Sequence, residues 1–401
     1  MSSAVTRGTP IAWNPQEEVR LSRPRVVPEQ AGAEPPLSVP ERLGTDGRFT
    51  GRGVVVAFLD SGFYAHPDLT RPANRILEYV DLVGGRSGME ALAEPDVSSW
   101  HGMMSSVVAG GNGALSGGRY SSLAPEMGLV LVKVGHAARI KHEDITLGIR
   151  WVIENRERHG IRVLNVSCGG DYEASYLVDP LSRAAEDAVR EGIVVVSAVG
   201  NRGDRPGYVL PPASTPAVIS VGGLNDLGNP ALGRLLPYRS SFGPTVDGLQ
   251  KPEVVTLADF LAAPILPGTP TAREAELLTA LDAAPDSELS RILAENPGVY
   301  APLDGLEGKQ PYLVRQVVAA GLRDGLVIDE NYKRVDGTSF AAPIVTSIVA
   351  QMLEANPALG PGEVKRILLR TAQRVPGIEL DRQGWGEVRP EAAVVAALQG
   401  R

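Results

Sequence analysis

The chain has 401 residues, 43% of them apolar, few aromatics and a formal net charge of −8. That balance excludes a broad basic field for nucleic acid or for an anionic membrane surface. No stretch approaches the roughly 18 uninterrupted apolar residues of a membrane span. Residues 1 to about 40, rich in Pro, Arg, Glu and Gln without a sustained period, read as an extended or disordered arm ahead of a domain at 41–401. From Val54 to Leu59 a continuous apolar, β-branched run ends in Asp-Ser-Gly, the pattern of a buried parallel strand and its exit turn. Leu129–Val134, Val163–Val166, Ile193–Ala198 and Ala217–Val221 repeat it, with helices predicted between at Ile145–Glu157 and Leu181–Arg190.

This alternation predicts an α/β fold, a parallel sheet with helices on both faces. Such sheets carry their chemistry at the carboxyl ends of the strands, where Asp60, Ser167 and Asn201 fall. An insertion at about 256–330 breaks the rhythm with short amphipathic helices, Thr271–Leu281, Ser287–Leu293 and Tyr312–Leu322. Ala341–Ala355 and Pro361–Gln373 read as two closing helices, broken near Pro357.

Three blocks carry chemistry: VVVAFLDSG (Val54–Gly62), WHGMMSSVVAG (Trp100–Gly110) and VDGTSFAAP (Val335–Pro343). Each alone has a plain reading as a turn Asp, a structural His or a helix cap. Together they supply what a hydroxyl nucleophile needs: a hydrogen-bonded base, and an acid to fix that base's tautomer. The order Asp, His, Ser is the one that distinguishes subtilisin from the chymotrypsin and α/β-hydrolase arrangements.

The three blocks resemble the Asp, His and Ser signatures of the subtilisin-like serine proteases (subtilases). LAPEMGLVLVKV (Leu123–Val134), LNVSCGG (Leu164–Gly170), VVVSAVGNRG (Val194–Gly203), PPASTPAVISVGG (Pro211–Gly223), SSFGP, KPEVV and QGWGEVRPEAAV resemble further family segments in order and spacing, over roughly 40–255 and 331–398. The resemblance implies a three-layer subtilisin-like fold and a serine endopeptidase with Ser339 as nucleophile, His101 as base and Asp60 orienting it. It implies an oxyanion site made by the Asn201 amide and the Ser339 backbone N–H. It implies that Ser167, Cys168 and Gly169 form one substrate-pairing edge and Ala138, Arg139 and Ile140 the other, selecting extended protein or peptide segments. The Gly203–Pro211 stretch, read as pocket floor, diverges and offers no decisive charge.

Cys168 reads as a small hydrophobe in a pocket wall, since no basic neighbour in the sequence would lower its pKa. Met103, Met104, Ser105, Ser106 and Phe340 depart from the usual family residues and predict altered packing. No cofactor is expected. Structural calcium stays open, because six to eight oxygen ligands are not identified in the short Gly110–Ala124 loop. His136, His142, Glu143 and Asp144 fit no metal-ligand spacing and read as a helix start with solvated charges.

Extended protein or peptide is the partner read here, with neither nucleic acid nor membrane, and the oligomeric state is not legible. The first residues lack an apolar core behind a basic start, and Cys168 alone cannot form an internal disulfide. Both favour a cytoplasmic location, with secretion left open for a chain whose leader is removed. The short arm suggests a segment lying across the cleft. The alternative to an active protease is a catalytically silent or autoinhibited peptide-binding module whose insertion recruits a partner. The competent residues at 60, 101, 201 and 339 argue against it.

Overall fold

The computed structural model describes residues 36–136 and 139–400. The 1–35 part of the predicted arm and Ala138 lie outside them. Seven parallel strands form the central sheet: β1 (Val55–Asp60), β2 (Ile76–Asp81), β3 (Gly128–Lys133), β4 (Ile161–Val166), β5 (Val194–Ala198), β6 (Ile219–Asn225) and β7 (Val254–Leu257). Their order is β7-β6-β5-β4-β1-β3-β2, with the two-residue segment Leu236–Pro237 antiparallel to β6. The five strands predicted from apolar runs are all present, within two residues at each end except that β6 runs on to Asn225. β2 was not predicted as a strand, and it mixes buried with exposed positions instead of running apolar throughout.

A strand's side chains alternate between faces, so one strand feeds two cores. Val56 and Phe58 pack with Met103 and Ile344 on one face, while Ala57 and Leu59 pack with Ile145 and Ile149 on the other. The first face is covered by α2 (Ser99–Gly110) and α8 (Thr338–Ala355) and the second by α3 (His142–His159) and α4 (Pro180–Arg190). A short helix, α1 (Val39–Leu43), precedes the first strand. This is the three-layer architecture the sequence predicts.

The segment before Ser339 is tied into the rest of the fold. A hairpin, β8 (Leu261–Pro264) with β9 (Tyr332–Val335), brackets α5 (Pro270–Ala283), α6 (Leu289–Glu295) and α7 (Pro311–Asp324). These helices bury their own small core, including Leu278, Leu281, Leu293, Leu303, Val314 and Val318. β7 ends at Leu257, inside the stretch read as insertion, so the excursion starts from a sheet strand. Tyr332 of β9 donates its hydroxyl to Asp68 Oδ2 at 2.7 Å. Arg42 of α1 is fully buried and pairs with both oxygens of Asp226, at 2.6 and 3.0 Å. It also donates to the carbonyls of Asp259 and Phe260 in the β7–β8 turn, which staples that turn to the sheet edge. Two closing helices, α9 (Pro361–Thr371) and α10 (Pro390–Gln399), complete the chain. No helix among the described residues is long and apolar enough to cross a membrane.

Candidate active site

β1 delivers Asp60 as its last residue, 1% exposed, at the carboxyl edge of the sheet. Its carboxylate accepts the Ser61 N–H at 2.7 Å and the Ser105 hydroxyl at 3.3 Å. The same group meets Nδ1 of His101, 2.8 Å from Oδ2 and 2.9 Å from Oδ1. An ionised carboxylate only accepts, so Nδ1 carries the hydrogen and Nε2 keeps its lone pair for a proton. His101 sits in the first turn of α2, held edge-on by Trp100 at 5.2 Å and flanked by Phe340 at 5.7 Å. Gly102 permits this approach: a Cβ there would lie 2.1 Å from the Gly62 carbonyl oxygen and 2.9 Å from the Asp60 Cβ.

Ser339 is the second residue of α8, at the positive end of a helix dipole. Gly337 precedes it with φ 146°, and a Cβ there would stand 3.0 Å from Ser339 Oγ, so a side chain would crowd the hydroxyl. Pro343 lies four residues on and has no N–H, so the Ser339 carbonyl lacks its helical donor. The Ser167 hydroxyl donates to that carbonyl instead, at 2.9 Å. Asn165 donates to Ser167 at 2.9 Å and accepts from Thr346 at 3.0 Å, so β4 and α8 are tied together beneath the site.

Asn201 follows β5, and its Oδ1 accepts the backbone N–H of Thr338 at 2.9 Å and the Thr338 hydroxyl at 3.0 Å. A backbone N–H demands an acceptor, which fixes the amide orientation and leaves Nδ2 as the end free to donate elsewhere. Thr338 was not singled out from the sequence; its signal is its place between Gly337 and the nucleophile candidate.

One cavity of about 270 Å³ is walled by Asp60, His101, Asn201, Ser339, Ser167, Cys168 and Gly169, and by Arg139 and Ile140 from the opposite side. All the predicted site residues except Ala138, which lies outside the described residues, therefore converge. Tyr208 and Leu210, from the stretch read as pocket floor, line it too. Arg202, one residue before that stretch, borders the same cavity. Burial, with Asp60 nearby, holds the Cys168 thiol well above its usual pKa, which agrees with its reading as a small hydrophobe in the pocket wall.

The solvated-charge reading of His142 is corrected. α3 does start there, but His142 is 2% exposed, bonds Asp179 at 2.7 Å and stacks on Tyr172 at 4.5 Å. Its partner is 37 residues away, out of reach of any local pattern.

Residues 51–386 match the model of the subtilase family. The chain belongs to that family. As a subtilase it is a hydrolase, a serine endopeptidase. It is 30% identical over 353 residues to serine protease AprX of Bacillus subtilis (strain 168), covering 86% of this chain and 67% of that protein. The major intracellular serine protease of the same organism is 30% identical over 181 residues, 44% of this chain and 52% of that one. Among solved structures, a protease of Pseudoalteromonas arctica PAMC 21717 superposes with a TM-score of 0.58 at 23% identity, covering 92% of this subtilase and 95% of that chain. That likeness speaks for the fold.

Proposed function

We propose that this subtilase hydrolyses peptide bonds through an acyl-enzyme, with Ser339 as nucleophile, His101 as general base and acid, and Asp60 as the group that orients it. The observation that carries the reading is the contact of His101 Nδ1 with both Asp60 oxygens, in the wall of the cavity that also holds Ser339. Ser339 Oγ attacks the substrate carbonyl carbon as its proton passes to His101 Nε2. The oxyanion that forms is met by Asn201 Nδ2 and the Ser339 N–H at the head of α8. Collapse expels the amine, which takes the proton from His101. A water deprotonated by His101 then attacks the ester, and release of the acid returns the proton to Ser339. Asp60 remains anionic throughout.

Substrate would lie extended between the Ser167–Gly169 edge and the Arg139–Ile140 edge, paired through its main chain. A fluorophosphonate reagent tests the reading: it labels the wild-type chain at Ser339 and fails to label Ser339→Ala. Absence of labelling in the folded wild-type protein would remove the acyl-enzyme.

A further inference from the structure

We propose that Arg202 makes this protease select an acidic side chain at the residue that supplies the scissile carbonyl. The inference rests on the proposed reading of the cleft, because it takes the wall beside Ser339 as the place where that residue enters.

The wall of that cavity is mostly neutral, with Cys168, Gly169, Ala198, Val199 and Leu210. Its charged groups besides His101 are Asp60, Asp171, Arg139 and Arg202. Three of these are already engaged. Asp60 holds His101; Asp171 lies 3.4 Å from the Arg139 guanidinium and accepts the His142 N–H at 3.0 Å. Arg202 has no carboxylate partner among the described residues. Its guanidinium instead lies over the Tyr208 ring, 4.4 Å from the centroid.

That stack is itself positioned. Tyr208 donates its backbone N–H to Glu173 at 2.8 Å, and the Arg202 N–H is held by the Ser241 hydroxyl at 3.2 Å. A guanidinium resting on an aromatic face keeps its donor edge in a fixed plane, and that edge matches a carboxylate. Arg202 is exposed and follows Asn201 directly in the chain, so its backbone is held beside the amide assigned to the oxyanion while its stack on Tyr208 sets the side chain. An acidic side chain entering here meets a preoriented cation, and a lysine meets repulsion.

The test uses peptides identical except for Glu, Gln, Leu or Lys before the scissile bond, with kcat/KM measured for the wild type, Arg202→Lys and Arg202→Gln. The wild type should prefer Glu over its neutral isostere Gln by ~10-fold, the scale of one well-placed charged contact. The ratio should fall at high salt, stay above unity in Arg202→Lys and collapse to about one in Arg202→Gln. A wild-type ratio near one, or a ratio unmoved in Arg202→Gln, overturns the proposal. Labelling of the same preparations at Ser339 separates the two failures. Labelled enzyme with a flat profile defeats the selectivity alone. A wild type that neither labels nor cleaves any of the peptides defeats the reading of the cleft, and the selectivity with it.

Discussion

Two buried imidazole–carboxylate pairs lie near the carboxyl edge of the sheet, and their heavy-atom distances barely differ. His101 meets Asp60 at 2.8 Å and His142 meets Asp179 at 2.7 Å. What differs is the other ring nitrogen. The nitrogen of His101 opposite its carboxylate belongs to a ring in the cavity wall with Ser339. His142 bonds through Nε2, and its Nδ1 is packed so tightly against Gly170 that a Cβ on that glycine would come within 2.4 Å of it. Asp179 is moreover the cap of α4, accepting the Ser182 N–H at 2.7 Å. A short imidazole–carboxylate contact therefore marks a tautomer, and catalysis needs the far nitrogen to face a hydroxyl and a space for substrate.

Replacing each acid separates the two pairs most sharply. Asp60→Asn should lower kcat by ~10⁴ with the fold intact. Asp179→Asn should change kcat by less than roughly tenfold and instead cost ~1–3 kcal/mol of stability, read from urea midpoints. Equal losses of turnover in the two variants would erase the distinction. Next in size, Asn201→Ala should lower kcat by ~10²–10³ with a smaller change in KM. An effect confined to KM would assign Asn201 to ground-state binding.

A third buried acid, Asp259, has no imidazole partner among the described residues. Burial, and then the neighbouring Asp336, push its carboxyl up to about 7. The folded chain thus keeps a proton that the unfolded chain releases near pH 4. The resulting stabilisation is complete below that point and is lost as pH rises through about 7. Replacing Asp259 by Asn should remove up to ~1.4 kcal/mol per pH unit of that slope, measured by denaturant unfolding between pH 4 and 8. The smallest effect concerns Cys168: with its thiol protonated, alkylation by iodoacetamide at neutral pH should be far slower than for an exposed cysteine, and should quicken on unfolding.

The fold was legible wherever burial on both faces of a strand leaves a continuous apolar run, as at Val54–Leu59. It was less legible where burial is total around a helix. α2, which carries His101, is buried at every position except Trp100 and so has no polar stripe to reveal its period. The three triad candidates were legible because each sits in a short segment whose glycines are dictated by close approach, Gly102 and Gly337 among them. The parts that were missed depend on partners distant in the chain: Thr338 with Asn201, Asp179 with His142, Ser167 with the carbonyl that Pro343 leaves open. Arg202 was in view in the sequence, but no spacing rule announces its place in the cavity wall or its stack on Tyr208.

Asp60, His101 and Ser339 are proposed to work as one device. The most direct test is the kcat of His101→Ala, Ser339→Ala and the double variant on one peptide. All three should fall to the same residual rate, since removing either partner already disables the attack. Losses that multiply in the double variant would show two independent contributions and would contradict the proposal.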